Sequence, residues 1–150
     1  MLVVAGAVFD RDGRVLIAQR PAGKHLAGRW EFPGGKVAAG ESEAEALARE
    51  LHEELGVRVI RSRPFMRLAH EYSDRTVELS MWLVVEFRGE PAGLDGQRLK
   101  WVAPGRLLEE DILEADRPFI EALQRGAREE LQAEAAGAAG AGQGEAGQPH

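Results

Sequence analysis

The chain contains no cysteine. Disulfides, thiolate zinc sites and cysteine nucleophiles are therefore excluded. Long apolar runs are missing too: Met81–Val85 in the middle of the chain is far too short to span a bilayer. The first nine residues are apolar, but no basic stretch precedes them, which argues against a signal peptide. There is no excess of positive charge. The net charge is −6, so neither duplex nucleic acid nor an anionic membrane is expected as a partner held by bulk charge. What remains is a chain of 150 residues, 44% hydrophobic and 29% charged. These values describe one soluble globular domain, with the cytoplasm as the expected compartment and a monomer as the expected state.

The charge is unevenly spread. Residues 1–40 carry +3, residues 41–54 carry −5, residues 55–125 carry −1 and residues 126–150 carry −3. The acidity thus sits in one short block and in the tail. From Ala133 onward the tail is almost entirely Ala, Gly, Glu and Gln, which cannot offset its ordering entropy by burial. The expected division is a folded domain over 1–125, followed by a frayed helix end and disordered tail over 126–150.

Within the domain, Leu2–Phe9, a turn at Asp10–Gly13 and Arg14–Arg20 predict a strand–turn–strand hairpin. Residues 21–36, rich in Gly and Pro, read as loop. Ser42–Leu55 predicts a helix, with Ser42 and Glu45 as a capping box and Gly56 as its stop. Strands are expected over Val57–Ser62, Pro64–Tyr72, Thr76–Phe87 and Leu99–Ala103. Pro104 opens a helical turn, and Asp116 is placed to cap a final helix with Pro118 in its first turn. There is no internal repeat. The fold class is α/β, a mixed sheet with helices packed on it.

On a helical wheel of 42–55, Ala44, Leu47, Ala48, Leu51 and Leu55 share a core face. Glu50, Glu53 and Glu54 share another, at i, i+3 and i+4, where like charges repel. Glu43 and Glu45 are accounted for by the helix dipole; the other three are not. A solvated charged face is the plain reading of a Glu-rich helix. An all-oxygen cluster, however, suits a hard divalent cation, Mg²⁺ or Mn²⁺.

The flanking residues decide between these. Gly35, five residues, Glu41, seven residues, Arg49-Glu50-Leu51, one residue, Glu53-Glu54, one residue, Gly56-Val57 match all nine specified positions of the Nudix hydrolase signature. At average residue usage such a match arises by chance on the order of once in a billion starts. The run Trp30-Glu31-Phe32-Pro33-Gly34-Gly35-Lys36 resembles the MutT branch of that family, which clears oxidised nucleotides from the pool in DNA repair. The likeness covers about residues 3–124 and implies the Nudix fold, an α/β/α sandwich.

The resemblance also implies roles. The Gly34 carbonyl, Glu50, Glu53 and Glu54 would hold Mg²⁺, or Mn²⁺ in its place. Pro33, Gly34 and Gly35 would let backbone approach metal and polyphosphate. Arg49, paired with Glu41, would orient the carboxylates. Lys36 and Arg20 would meet phosphate oxygens or the acidic cluster. The implied substrate is a nucleoside triphosphate, attacked by water at the β-phosphorus to give a monophosphate and pyrophosphate, as in hydrolysis of 8-oxo-dGTP to 8-oxo-dGMP.

Arg20, His25, Phe32, Asp74 and Asp116 occupy positions that line the base pocket in similar proteins. Read plainly, Phe32 is core, His25 a surface residue, Asp74 a turn residue and Asp116 a cap. Asp116 departs from the Asn of the best-known MutT pattern. Asn donates and accepts, whereas an ionised Asp only accepts, from the amino group of cytosine or from the N1–H and amino group of a guanine. The alternative substrate is therefore (d)CTP or a 5-substituted dCTP. Lys100 stands where some relatives carry a metal-binding Glu, leaving Gln97 as a neutral substitute. Tyr72, sixteen residues after Gly56, admits diadenosine polyphosphates as a further class. A non-catalytic nucleotide-binding module is the remaining reading, and the intact acidic set speaks against it.

Overall fold

The computed structural model describes residues 1–126. The expected tail beyond them lies outside the described residues. The elements run β1 (Leu2–Val8), β2 (Val15–Gln19), β3 (Trp30–Glu31), β4 (Gly34–Lys36), α1 (Glu43–Leu55), β5 (Arg58–Tyr72), β6 (Arg75–Arg88), β7 (Leu99–Val102), two 3₁₀ turns (Pro104–Glu109 and Glu114–Asp116) and a helix, α2, over 117–126.

β1 is apolar along both faces because both are buried. Ala5 and Ala7 enter one core cluster, and Val4 and Val8 the other. Such a strand takes partners on both edges. It lies in a four-stranded mixed sheet of order β4-β1-β6-β5, antiparallel to β4 and parallel to β6. This overturns the expected hairpin. The turn forms, with Asp10 accepting from the backbone N–H groups of Asp12 and Arg14. The arms meet only at the Phe9–Val15 bridge, then part. β2 pairs instead with β3 and β7 in a second, antiparallel sheet.

Two further expectations change. Residues 21–36 are not all loop, since β3 and β4 form there. Strands of two or three residues carry no readable alternation. Val57–Ser62 and Pro64–Tyr72 form one strand, β5, apart from Val57 itself. Pro64 is tolerated because β5 is an edge. Register shifts at Val59/Arg61, Arg61/Ser62 and Pro64/Met66 absorb the irregularity.

α1 begins with the Ser42–Glu45 capping box and ends at Gly56 in a left-handed conformation, φ 75°. Its buried residues are Ala46, Leu47, Leu51 and Leu55. Ala44 is exposed and Ala48 only half-buried, so the predicted stripe is rotated. Glu43 causes the rotation. It faces the sheet, where its carboxylate accepts from the Ser80 hydroxyl and the Trp82 indole and pairs with Arg67. The Ser80 bond is the main reason its carboxyl titrates below the usual range. α1 covers one face of the sheet, and Phe119, Ile120 and Leu123 of α2 enter the cluster on the other. The result is an α/β/α sandwich.

Candidate active site

The site grows from the contact between β4 and α1. Gly34 and Gly35 are matched in register with Ala5 and Val4 of β1. A Cβ at Gly34 would overlap the Val4 carbonyl, and one at Gly35 would collide with the Glu50 carboxylate. Both positions therefore demand glycine for close approach. Arg49, one turn before Glu53, grips Glu41 in a two-bond fork: Nε donates to Oε2 at 2.7 Å and Nη2 to Oε1 at 2.9 Å. Nη2 also donates to the Lys36 carbonyl, and Nη1 reaches Glu50 at 3.1 Å and Glu53 at 3.4 Å. The fork holds the Glu41 carboxyl down to about 2 and raises the Arg49 guanidinium further still. One guanidinium thus ties the loop after β4 to two of the three helix carboxylates.

The third, Glu54, lines a cleft of about 1070 Å³ that runs past Lys36, Gly35, Gly34, Pro33 and Phe32. Burial pushes its carboxyl up to about 9, helped by a hydrogen bond with Glu50 and by the charges of Glu50 and Glu31. Among the described residues no three His, Cys, Asp or Glu side chains form a ready-made chelate. Glu50 and Glu53 are turned toward Arg49, and the Glu53 side chain is 58% exposed. The chemistry of the donor set nevertheless fits a divalent cation. Glu50 and Glu54 are hard oxygen donors beside glycine backbone that no side chain obstructs.

The same cleft is lined by Arg20, His25, Phe32, Asp74 and Asp116. Their plain roles are also visible. Phe32 is 4% exposed and packs edge-on against Phe119 at 4.8 Å. His25 is exposed and lends its backbone carbonyl to Arg20 Nε at 2.7 Å. Asp74 is exposed at the tip of the β5–β6 connection. Asp116 precedes α2, but its carboxylate does not cap it. Oδ2 accepts from the Phe32 backbone N–H at 3.4 Å. Asp116 is 7% exposed, and burial, with the nearby Glu31 charge, pushes its carboxyl up to about 7.

Glu31 is the residue that sequence reasoning missed. It lines the cleft, pairs with Arg20 at 2.9 Å and is pushed upward by burial. Its charge also acts on both Glu54 and Asp116 and so links the acidic helix to the buried aspartate. The available signal was its place between two buried aromatics, Trp30 and Phe32. Gln97 also lines the cleft, but its amide is engaged, donating to the Glu54 carbonyl at 3.1 Å and accepting from Asp95 N–H at 2.9 Å. Lys100 lies outside the cleft, paired with Glu110 at 2.7 Å. Tyr72 lines the cleft edge-on to His70. No described helix is long and apolar enough to cross a membrane.

Residues 4–122 match the family model described as NUDIX domain. The chain is 41% identical to the CTP pyrophosphohydrolase of Escherichia coli K12 over 82% of its own length and 91% of that protein. It is 36% identical to the 8-oxo-dGTP diphosphatase of the same organism, over 82% and 95% of the two chains. Its structure superposes on a solved MutT chain, from work on Aliivibrio salmonicida and Vibrio cholerae. The TM-score is 0.70 at 38% identity, over 79% of this chain and 92% of that one. With the glycine-lined strand, the arginine fork and the acidic helix already assembled by the fold, these matches place the chain in the NUDIX domain family, among its MutT-like hydrolases.

Proposed function

We propose that the protein is a Mg²⁺-dependent nucleoside triphosphate pyrophosphohydrolase, with Mn²⁺ as a possible substitute, that hydrolyses 8-oxo-dGTP to 8-oxo-dGMP and pyrophosphate. The observation that carries this reading is one cleft lined by Glu54 and Gly34–Gly35 together with Phe32 and Asp116. Glu50 and Glu54, with Glu53 and the Gly34 carbonyl beside them, would hold the cation. Its chemistry when bound is neutralisation of polyphosphate charge and acidification of water. Arg49 positions Glu50 and Glu53 while Glu41 fixes Arg49. Lys36, Lys24 and Arg20 supply positive charge along the cleft for phosphate oxygens. Phe32 offers an apolar wall, and Asp116 a polar group to the base edge.

Asp116 also favours a second reading, hydrolysis of (d)CTP or a 5-substituted dCTP, since its ionised form accepts from the cytosine amino group. The relative named CTP pyrophosphohydrolase agrees with that option. A panel of 8-oxo-dGTP, dGTP, dCTP and diadenosine tetraphosphate with Mg²⁺, followed by product identification, tests both. The expected products are monophosphate and pyrophosphate, with the highest kcat/KM on 8-oxo-dGTP. A kcat/KM no better than that for dCTP sinks the first reading, and diphosphate plus phosphate sinks both. Glu54→Gln is expected to abolish Mg²⁺-dependent turnover with the circular dichroism spectrum unchanged. Surviving turnover removes Glu54 from the metal assignment.

A further inference from the structure

Leu26 is the one non-glycine among the described residues with a left-handed backbone, at φ 59°. For a bulky side chain this conformation is strained. Two glycines in the same loop, Gly23 at φ 90° and Gly28 at φ 88°, meet the same demand without strain. A third glycine would close the loop equally well. The backbone bonds that shape it, Ala27 N–H to the Lys24 carbonyl and Arg29 N–H to the Leu26 carbonyl, need no side chain. Nor is the isobutyl group part of a core. Leu26 is 39% exposed and belongs to neither core cluster. It lines the cleft instead, on the loop that also brings Lys24 and His25 to it, while Phe32, Leu113 and Ala115 contribute apolar surface to the same cavity.

A large apolar group held at a strained backbone position, part of neither core cluster and placed in a binding cleft, gains further contacts from what enters the cleft. Its chemistry suits the face of a flat heteroaromatic ring, which needs apolar cover and offers no charge. We propose that Leu26 is a specificity-determining residue that covers the nucleobase, a role that rests on the nucleotide reading above. The apolar area it buries on ligand binding offsets the strain, so the side chain acts on affinity and not on the chemical step.

Leu26→Gly, Leu26→Ala and Leu26→Met test this by two readouts. Melting temperature is measured without ligand. Nucleotide affinity is measured by calorimetry with 8-oxo-dGMP and dCMP, and KM and kcat with the triphosphate preferred by the wild type. Leu26→Gly is expected to melt no lower than wild type. It should bind the monophosphate and saturate with the triphosphate about tenfold more weakly, with kcat within twofold. Leu26→Met is expected to restore affinity to within threefold, since it keeps apolar bulk. Hydrolysis of inorganic triphosphate, if the wild type performs it, is expected to be unaffected. Monophosphate affinity and KM of Leu26→Gly within twofold of wild type overturn the proposal, as does an equal loss on inorganic triphosphate. A lowered melting temperature with kcat and KM changed together also overturns it, by making Leu26 structural. Failure of the wild type to hydrolyse any triphosphate while it still binds monophosphates sinks the enzymatic reading alone. The monophosphate affinities then decide the role of Leu26.

Discussion

Asp116 presents the sharpest chemical choice in the molecule. Burial pushes its carboxyl from 3.8 up to about 7, while Glu31 raises it and the Phe32 N–H and Arg20 pull it down. Protonated, it donates and accepts, as an Asn would; ionised, it only accepts. The ratio of kcat/KM for 8-oxo-dGTP over dCTP is therefore expected to rise as pH falls through about 7. Asp116→Asn should flatten that dependence, which paired pH–rate profiles would show. The same shift acts on stability. A carboxyl whose folded value exceeds its unfolded one contributes stability that is fully present below 3.8 and lost as pH rises through about 7. The gain of Asp116→Asn over wild type is expected to be about 1–3 kcal/mol larger at pH 8 than at pH 5, read from urea unfolding. Arg49 was legible because a spacing pattern names it, and Asp116 because a family resemblance assigns its position to the base pocket. Glu31 was not, because its meaning comes from Arg20, Glu54 and Asp116, which are remote in sequence and meet it only in the fold.

At the scale of elements, β4 and α1 separate structure from chemistry. Gly34→Ala would drive a methyl into the Val4 carbonyl, a backbone atom that cannot move without parting β4 from β1. A loss of about 3 kcal/mol or more is expected from that overlap, visible as a lowered urea midpoint. Gly35→Ala meets only the end of the flexible Glu50 side chain. It is expected to keep the fold nearly intact but to cost about a hundredfold in kcat by turning Glu50 aside. Equal stability losses for the two variants would refute the distinction. α1 could be read from sequence because its capping box, apolar spacing and glycine stop are all local. The Glu43 contact that rotates its core face could not, since Ser80 and Trp82 approach from a strand more than thirty residues away. The failed hairpin has the same cause. A tight turn is encoded locally, but the choice of strand partners depends on which edges β4 and β6 later occupy.

The described residues form two apolar clusters on opposite faces of the β1–β6 sheet, and both strands contribute to each. Neither cluster can melt while those strands remain paired, so a single cooperative transition is expected. Trp30 reports on one cluster, and Trp82 and Trp101 on the other. Variants retaining Trp30 alone, or Trp82 with Trp101, should show fluorescence midpoints that coincide with far-ultraviolet circular dichroism. Separate midpoints would establish two folding units. The sheet margins carry a different consequence. Among the described residues β5 is the only long margin, and it is kinked by register shifts, interrupted by Pro64 and studded with Arg58, Arg61, Arg63 and Arg67. The remaining margins, β3, β4 and β7, have two to four residues each. No margin offers an incoming strand a straight, neutral row of free amides and carbonyls. Resistance to amyloid-like self-templating is thus built into the perimeter of the sheets, independently of the cleft.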